Sequence, residues 1–131
     1  MRVAVSEGGG MRRRSEHGAA MLEFALIAPV LVLLVMGIIE YGVQYSKRAE
    51  LNNLAFIAAR AEAVHKSPSA AVSGQLPSGA GGPVVVQGCP STGTPGTNAV
   101  ITIAGTFSSP TGLFGGNTFT INAKGVARCD G

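Results

Sequence analysis

The sequence predicts an α+β fold, in which a long N-terminal helix that crosses a membrane is followed by a small antiparallel β domain with one disulfide. Three observations predict it. Residues 24–39 are sixteen successive uncharged residues, rich in Leu, Val, Ile and Ala, which is too long a run for one strand. Residues 44–66 contain no Gly or Pro. Several stretches after residue 83 alternate between apolar and polar side chains, as strands do.

The composition argues against a single soluble core and against a nucleic-acid partner. Of 131 residues, 46% are hydrophobic, 13% are charged and 19 are Gly. Four of the ten basic and two of the seven acidic residues precede Ala19, which leaves six basic and five acidic side chains after it. A net side-chain charge near +1 gives no electrostatic footprint for nucleic acid.

Residues 1–18 are predicted to be a cytoplasmic basic leader without structure. The leader carries a run of three arginines, Arg12 to Arg14, and basic residues before an apolar segment stay in the cytoplasm. Only Lys47 and Arg48 flank the far side, so we expect a single pass with the carboxyl terminus outside. An ordinary cleaved signal peptide is disfavoured, since no small-x-small cleavage site follows the apolar run.

The apolar run needs both of its flanks to span a bilayer. Sixteen residues give about 24 Å of helix, whereas a hydrocarbon core is about 30 Å thick. A span over about residues 22–43 closes this gap and places Glu23 and Glu40 at membrane depth. A carboxylate there is costly and needs a partner. No Lys or Arg lies between Arg14 and Lys47, so the cation for Glu23 has to come from elsewhere.

The residues around the start of the run resemble the processing site of type IV prepilins. Gly18 matches the last leader residue, Ala19 the first mature residue, and Glu23 with Phe24 the fifth and sixth mature positions. The surrounding sequence resembles that of the TadE-like minor pseudopilins of the tight-adherence (Flp, type IVb) pilus system, through Pro29, Gly37, Glu40 and Gly42. This resemblance covers about residues 15–60.

The resemblance implies a function in pilus biogenesis or assembly. A prepilin peptidase of the membrane aspartic class would cut between Gly18 and Ala19. Glu23 would then meet the terminal amine of an adjacent subunit and fix its register, with Phe24 beside it. Glu40 would hold a further register contact or be merely solvated. The implied partners are the peptidase, other pilins and pseudopilins, the assembly machinery and the bacterial inner membrane.

The helix is predicted to continue past the membrane to residue 66, because Pro68 disfavours helical geometry in the residue before it. Residues 19–66 would thus form one helix. One face of this helix carries an apolar stripe at i, i+3, i+4 and i+7, made of Leu51, Leu54, Ala55 and Ala58. The stripe is either a contact surface for neighbouring pilin helices or the surface on which this chain's own β domain packs. Residues 67–83, rich in Ser, Gly and Pro, are predicted to be a flexible linker.

Residues 84–131 are predicted to form an extracytoplasmic β domain of three antiparallel strands, near 83–88, 98–107 and 117–129. Ile101, Ile103 and Phe107 share one face of the second strand, and five residues share a parity in the third: Phe119, Ile121, Ala123, Ala127 and Cys129. Turns are expected at 89–98 and 108–117. So small a sheet has to pack on the helix and needs a covalent link.

Cys89 and Cys129 would supply that link in an oxidising compartment and would be free thiols in the cytosol. Closing a loop of about 40 residues contributes about 4 kcal/mol in the loop-entropy model. A metal or redox pair is disfavoured, because His17 and His65 are remote in sequence.

No enzyme is predicted, since no nucleophile, carboxylate pair or metal-ligand spacing accompanies His65, and no cofactor or metal is expected. Two alternatives stay open at this stage. One is an unprocessed, signal-anchored surface protein that binds a partner through its β domain. The other is a small membrane-bound regulator with a cytosolic carboxyl terminus and reduced cysteines.

Overall fold

The computed structural model describes residues 12–90, 96–112 and 116–129, and within the first turns of its helix, residues 12–17, the backbone alone. Most of the predicted leader, the middle of each predicted turn and the last two residues lie outside the described part. The chain divides after Met36 into two compact units. The first is the N-terminal part of a helix, and the second holds the rest of that helix and the β domain.

Helix α1 runs from Arg12 to Ala63, with Pro29 inside it. The leader was expected to be unstructured, and residues 12–17 correct this expectation because they are already helical. Arg and Glu are good helix formers. Adding residues to an existing helix costs far less than starting a new one, so the long apolar helix extends into the leader.

The C-terminus of α1 comes three residues before the predicted end at residue 66, and His65 explains why. His65 has a positive φ of 55°. Its N–H donates to the Glu62 carbonyl at 3.0 Å, and the Lys66 N–H donates to the Ala61 carbonyl at 2.8 Å. This pair of bonds is a Schellman motif, which normally has glycine at the left-handed position.

The predicted linker contains local structure. Pro68–Ala71 forms a short helix, α2, and the Ser67 hydroxyl caps it by accepting from the Ala70 N–H. Ser followed by Pro is a helix-start signal. The next residue, Val72, is fully buried in the core. Further on, Ala80 bridges to Gly105, so residues 67–83 are folded onto the domain at two points.

The three strands are β1 (Val84–Gln87), β2 (Asn98–Ser108) and β3 (Thr118–Arg128). They form an antiparallel sheet in the order β1-β2-β3. The ladder between β2 and β3 is regular over its whole length, whereas β1 has a bulge between Val85 and Gln87. The predicted strands and their inward-facing parity are confirmed.

The core lies between the second half of α1 and one face of the sheet. The stripe predicted on the helix is buried and packs with apolar residues of both long strands, namely Leu51, Leu54, Ala55 and Ala58 with Ile101, Ile103, Phe107, Ile121 and Ala123. The Phe107 and Phe119 rings lie 5.8 Å apart, centroid to centroid. Of the two alternatives, the stripe is therefore the seat of the chain's own β domain.

The predicted disulfide joins Cys89, just after β1, to Cys129, just after β3, with 5.7 Å between their Cα atoms. Cys129 packs with Ala63 and Ala99 in a second small cluster. The link therefore closes the end of the sheet that lies against the C-terminus of α1.

Candidate functional site

The predicted processing bond, Gly18–Ala19, lies inside α1, and both residues are exposed. A β-carbon added at Gly18 would meet no atom within 4 Å. Glycine in a helix interior is about 1 kcal/mol less favourable than alanine. At the bond that the resemblance marks for hydrolysis, local unwinding of the helix therefore costs about 1 kcal/mol less than it would with alanine in place of Gly18.

Glu23 and Phe24 lie about one turn further along α1. Phe24 is 69% exposed, and Glu23 is exposed as well. Within the described residues, the one ion pair joins Lys47 to Glu50, and no hydrogen bond to Glu23 is present. The Glu23 carboxylate is thus unpartnered within the described part of its own chain.

The apolar side chains that follow are also exposed. Every large apolar residue from Met21 to Ile39 is at least 38% exposed. Within the described part of the chain, Gly18–Ala63 is the one helical stretch long and apolar enough to cross a membrane, and its most apolar 18-residue window has a mean hydropathy of 2.7 and is 0% buried. By length and composition, this helix is compatible with a single-pass membrane anchor.

Glu40 differs from Glu23 because it is only 4% exposed. One of its carboxylate oxygens accepts from the Ser109 hydroxyl. The other accepts from the Thr111 hydroxyl and, at 3.1 Å, from the Thr111 N–H. The Ser109 hydroxyl oxygen in turn accepts from the Gly112 N–H at 3.0 Å. Glu40 therefore attaches the segment after β2 to the helix.

Ser109 and Thr111 are the residues of this site that the sequence did not single out. They belong to a Ser-Ser-Pro-Thr run that sequence analysis interprets as a turn. The length of β2 was the one sequence feature that could have indicated this contact. Because β2 begins beside the C-terminus of α1 and runs antiparallel to the helix, the residues after its end lie near Glu40. Finding the pair requires the packing of the sheet on the helix as well as local pattern.

Other chemistry is sparse in the described residues. No group of three or more His, Cys, Asp or Glu side chains in this part of the chain could hold a metal ion, and both cysteines are in the disulfide. His65, the one histidine whose side chain is described, lies at the exposed end of α1. The candidate features are Glu23 with the exposed apolar side chains that follow it and, separately, Glu40 with the segment after β2.

Comparison with known families also identifies α1, because the family model that matches does so within this helix. The family model described as "TadE-like protein" matches residues 18–60. Over these residues the chain is similar to the TadE-like family. The match begins at Gly18, includes Glu23, Phe24 and Glu40, and ends just before the C-terminus of α1. It covers about a third of the chain and supports a protein associated with the tight-adherence pilus.

Neither the curated proteins nor the solved structures include a match to this chain. The β domain lies entirely outside the family match. What the TadE-like segment supports therefore concerns the helix, and the domain has to be interpreted from its own structure.

Proposed function

We propose that this TadE-like chain is a minor pseudopilin: a subunit held in the bacterial inner membrane by α1, processed by a prepilin peptidase and then used in tight-adherence pilus assembly. The observation that carries the proposal is the unpartnered Glu23 carboxylate, five residues after Gly18, at the start of an exposed apolar helix.

Cleavage between Gly18 and Ala19 would provide what Glu23 lacks. It would remove the arginine cluster and create the α-amino group of Ala19 close to the start of the apolar segment. A cation from the amino terminus of an adjacent subunit would pair with Glu23, and a neighbour slipped along the helix would leave a buried charge unpaired. Glu23 would therefore set the axial register of assembly, with the exposed Phe24 packing beside it.

Helical structure at the processing site bears on how the peptidase would act. Hydrolysis of a peptide bond within a helix requires the helix to open locally. Gly18 lowers the free energy of that opening relative to any better helix former. In this proposal Gly18 therefore serves the peptidase twice, by fitting its active site without a side chain and by weakening the helix at the bond to be cut.

The proposed orientation places the leader in the cytoplasm and the β domain outside. The leader carries three arginines against Lys47 and Arg48 on the far side, which favours this direction. A disulfide between Cys89 and Cys129 agrees with it, because such bonds persist in oxidising compartments.

The experiment that tests the proposal is the intact mass and N-terminal sequence of the chain extracted from membranes, in cells with and without a prepilin peptidase. We expect a chain that begins at Ala19 only when the peptidase is present, and Gly18→Val should abolish the cut. Gly42→Val is the matched control, since both glycines are helical and have open space around an added β-carbon. It should be processed normally.

Glu23→Gln separates processing from assembly. It keeps the shape of the side chain and removes its charge, so the chain should still begin at Ala19 but should no longer co-purify with the other pilins. A chain that still begins at Met1 in cells with an active peptidase would contradict the proposal and favour an unprocessed, signal-anchored surface protein.

A further inference from the structure

At the end of the predicted span, α1 presents a stripe of three exposed side chains that the β domain does not cover. Tyr41 and Tyr45 are 71% and 66% exposed, and Arg48 is exposed as well. Their spacing of i, i+4 and i+7 places them on one face of the helix. The stripe forms one wall of a groove of about 130 Å³, whose other wall includes Phe119 and Thr120 of β3.

Arg48 is the available cation at this end of the span. Its neighbour Lys47 is already used, because its ammonium lies 2.9 Å from a Glu50 carboxylate oxygen and 5.7 Å from the centroid of the Phe107 ring. Among the described residues, Arg48 makes no ion pair or hydrogen bond. A guanidinium without a carboxylate partner suits bidentate binding of a phosphate.

The position of the stripe along α1 matches the depth of a lipid headgroup layer. The headgroup region adds roughly 5–8 Å to each side of the hydrocarbon core. If the span ends near residue 43, Tyr45 lies about 3 Å and Arg48 about 7.5 Å beyond it along the helix. Tyrosine is enriched at this depth, where its ring meets the acyl boundary and its hydroxyl meets water.

We infer that Tyr41, Tyr45 and Arg48 bind the phospholipid headgroups of the leaflet in which the span ends, with Arg48 on the phosphate. The inference rests on α1 spanning a membrane and is independent of processing at Gly18. It adds to the proposed function a lipid contact that holds the subunit at a fixed depth before assembly. A neighbouring pilin helix is the competing occupant of the same stripe.

The chain itself supplies the probe for a test. It contains two tyrosines and no tryptophan, so tyrosine emission reports on this stripe alone. The full chain is reconstituted in phosphatidylcholine vesicles that contain increasing amounts of phosphatidylglycerol brominated near the headgroup. Quenching of the emission then gives the association of the anionic lipid relative to phosphatidylcholine. We expect a preference of about fivefold for the anionic lipid.

Arg48→Gln should reduce that preference to near one while leaving the tyrosines quenched. Arg60→Gln is the matched control: Arg60 lies about 18 Å further along the helix, with its guanidinium 5.8 Å from the Phe56 ring centroid. It should keep the fivefold preference. Resistance to alkaline extraction, measured on every sample, establishes that the chain is inserted.

Three outcomes would overturn the inference. The first is tyrosine emission that brominated lipids do not quench in an inserted chain, which would favour a protein occupant. The second is an unchanged lipid preference in Arg48→Gln. The third is an equal loss of preference in both arginine variants, which would mean general electrostatic attraction without a headgroup site. None of these outcomes depends on whether Gly18 is processed.

Discussion

Gly125 of β3 gives the sharpest stability prediction, because the helix backbone rests directly on it. A β-carbon at this position would lie 2.0 Å from the Ala55 carbonyl oxygen, 2.2 Å from the Ala55 carbonyl carbon and 2.7 Å from the Phe56 nitrogen. All three atoms belong to the helix backbone and cannot rotate away. In Gly125→Ala, α1 would have to move off the sheet by more than 1 Å to restore ordinary contact distances of about 3.4 Å or more.

That movement would open the packing of the helix against β2 and β3, where Gly125 lies opposite Ile101. Overpacking of this kind costs about 1–3 kcal/mol, sometimes more. For a domain of this size each kcal/mol corresponds to about 4–8 °C in the melting temperature. We therefore expect Gly125→Ala to lower the Tm of the β domain by roughly 5–20 °C, measured by calorimetry of the full chain in detergent micelles.

Two other glycines provide a graded comparison. Gly82 has no atom within 4 Å of an added β-carbon. Gly82→Ala should therefore leave the Tm unchanged, or raise it slightly because alanine lowers the conformational entropy of the unfolded chain. At Gly105 the nearest atoms, at 2.7 and 2.8 Å, belong to the Phe107 ring, which can shift, so its effect should be intermediate. A Gly125→Ala protein that melts within 2 °C of the parent, or above Gly105→Ala, would refute the reasoning; this limit is about half the smallest shift expected per kcal/mol.

Two further predictions concern the links that hold the β domain. The Cys89–Cys129 disulfide closes a loop with a sequence separation of 40. Its reduction with dithiothreitol should lower the free energy of unfolding by about 4 kcal/mol, which would be measured as a large drop in Tm. An unchanged Tm after complete reduction would contradict this prediction. Glu40→Ala should accelerate hydrogen exchange at the Thr111 amide, whereas Glu40→Gln should accelerate it less because it keeps one acceptor oxygen. Glu50→Ala, which removes an exposed ion pair, is the control. Equal exchange rates in all three variants would exclude the Glu40 contact.

The elements of this fold are largely predictable from sequence because each has its own local pattern. The uncharged run and the lack of Gly or Pro predict α1, and alternation predicts the inward faces of β2 and β3. The disulfide was predicted from the two cysteines, which follow the first and last strands, together with the expected orientation toward an oxidising compartment. For the helix and the strands, the information lies within one segment, so no knowledge of packing between segments was needed.

The predictions fail where structure depends on an exception or on a distant contact. His65 ends α1 at a left-handed position that sequence rules assign to glycine. Sequence also gives no reason to distinguish Gly125 from the other glycines, because its role depends on where the helix crosses β3. For the same reason Ser109 and Thr111 could not be assigned to Glu40, which lies about 70 residues away along the chain.

Two glutamates of α1, Glu23 and Glu40, illustrate how packing separates residues that look equivalent in the sequence. Both flank the same apolar run. Glu23 is predicted to act in assembly register, and Glu40 is predicted either to make a further register contact or to be merely solvated. The acceptor oxygens of Glu40 are occupied by Ser109 and Thr111 of its own chain, so a neighbouring subunit would have to displace those bonds to use it. Glu23 has no such bonds within the described residues, and a cation from outside the chain can reach it without breaking any contact. The proposed register function therefore rests on Glu23, while Glu40 holds the β domain to the helix that carries it.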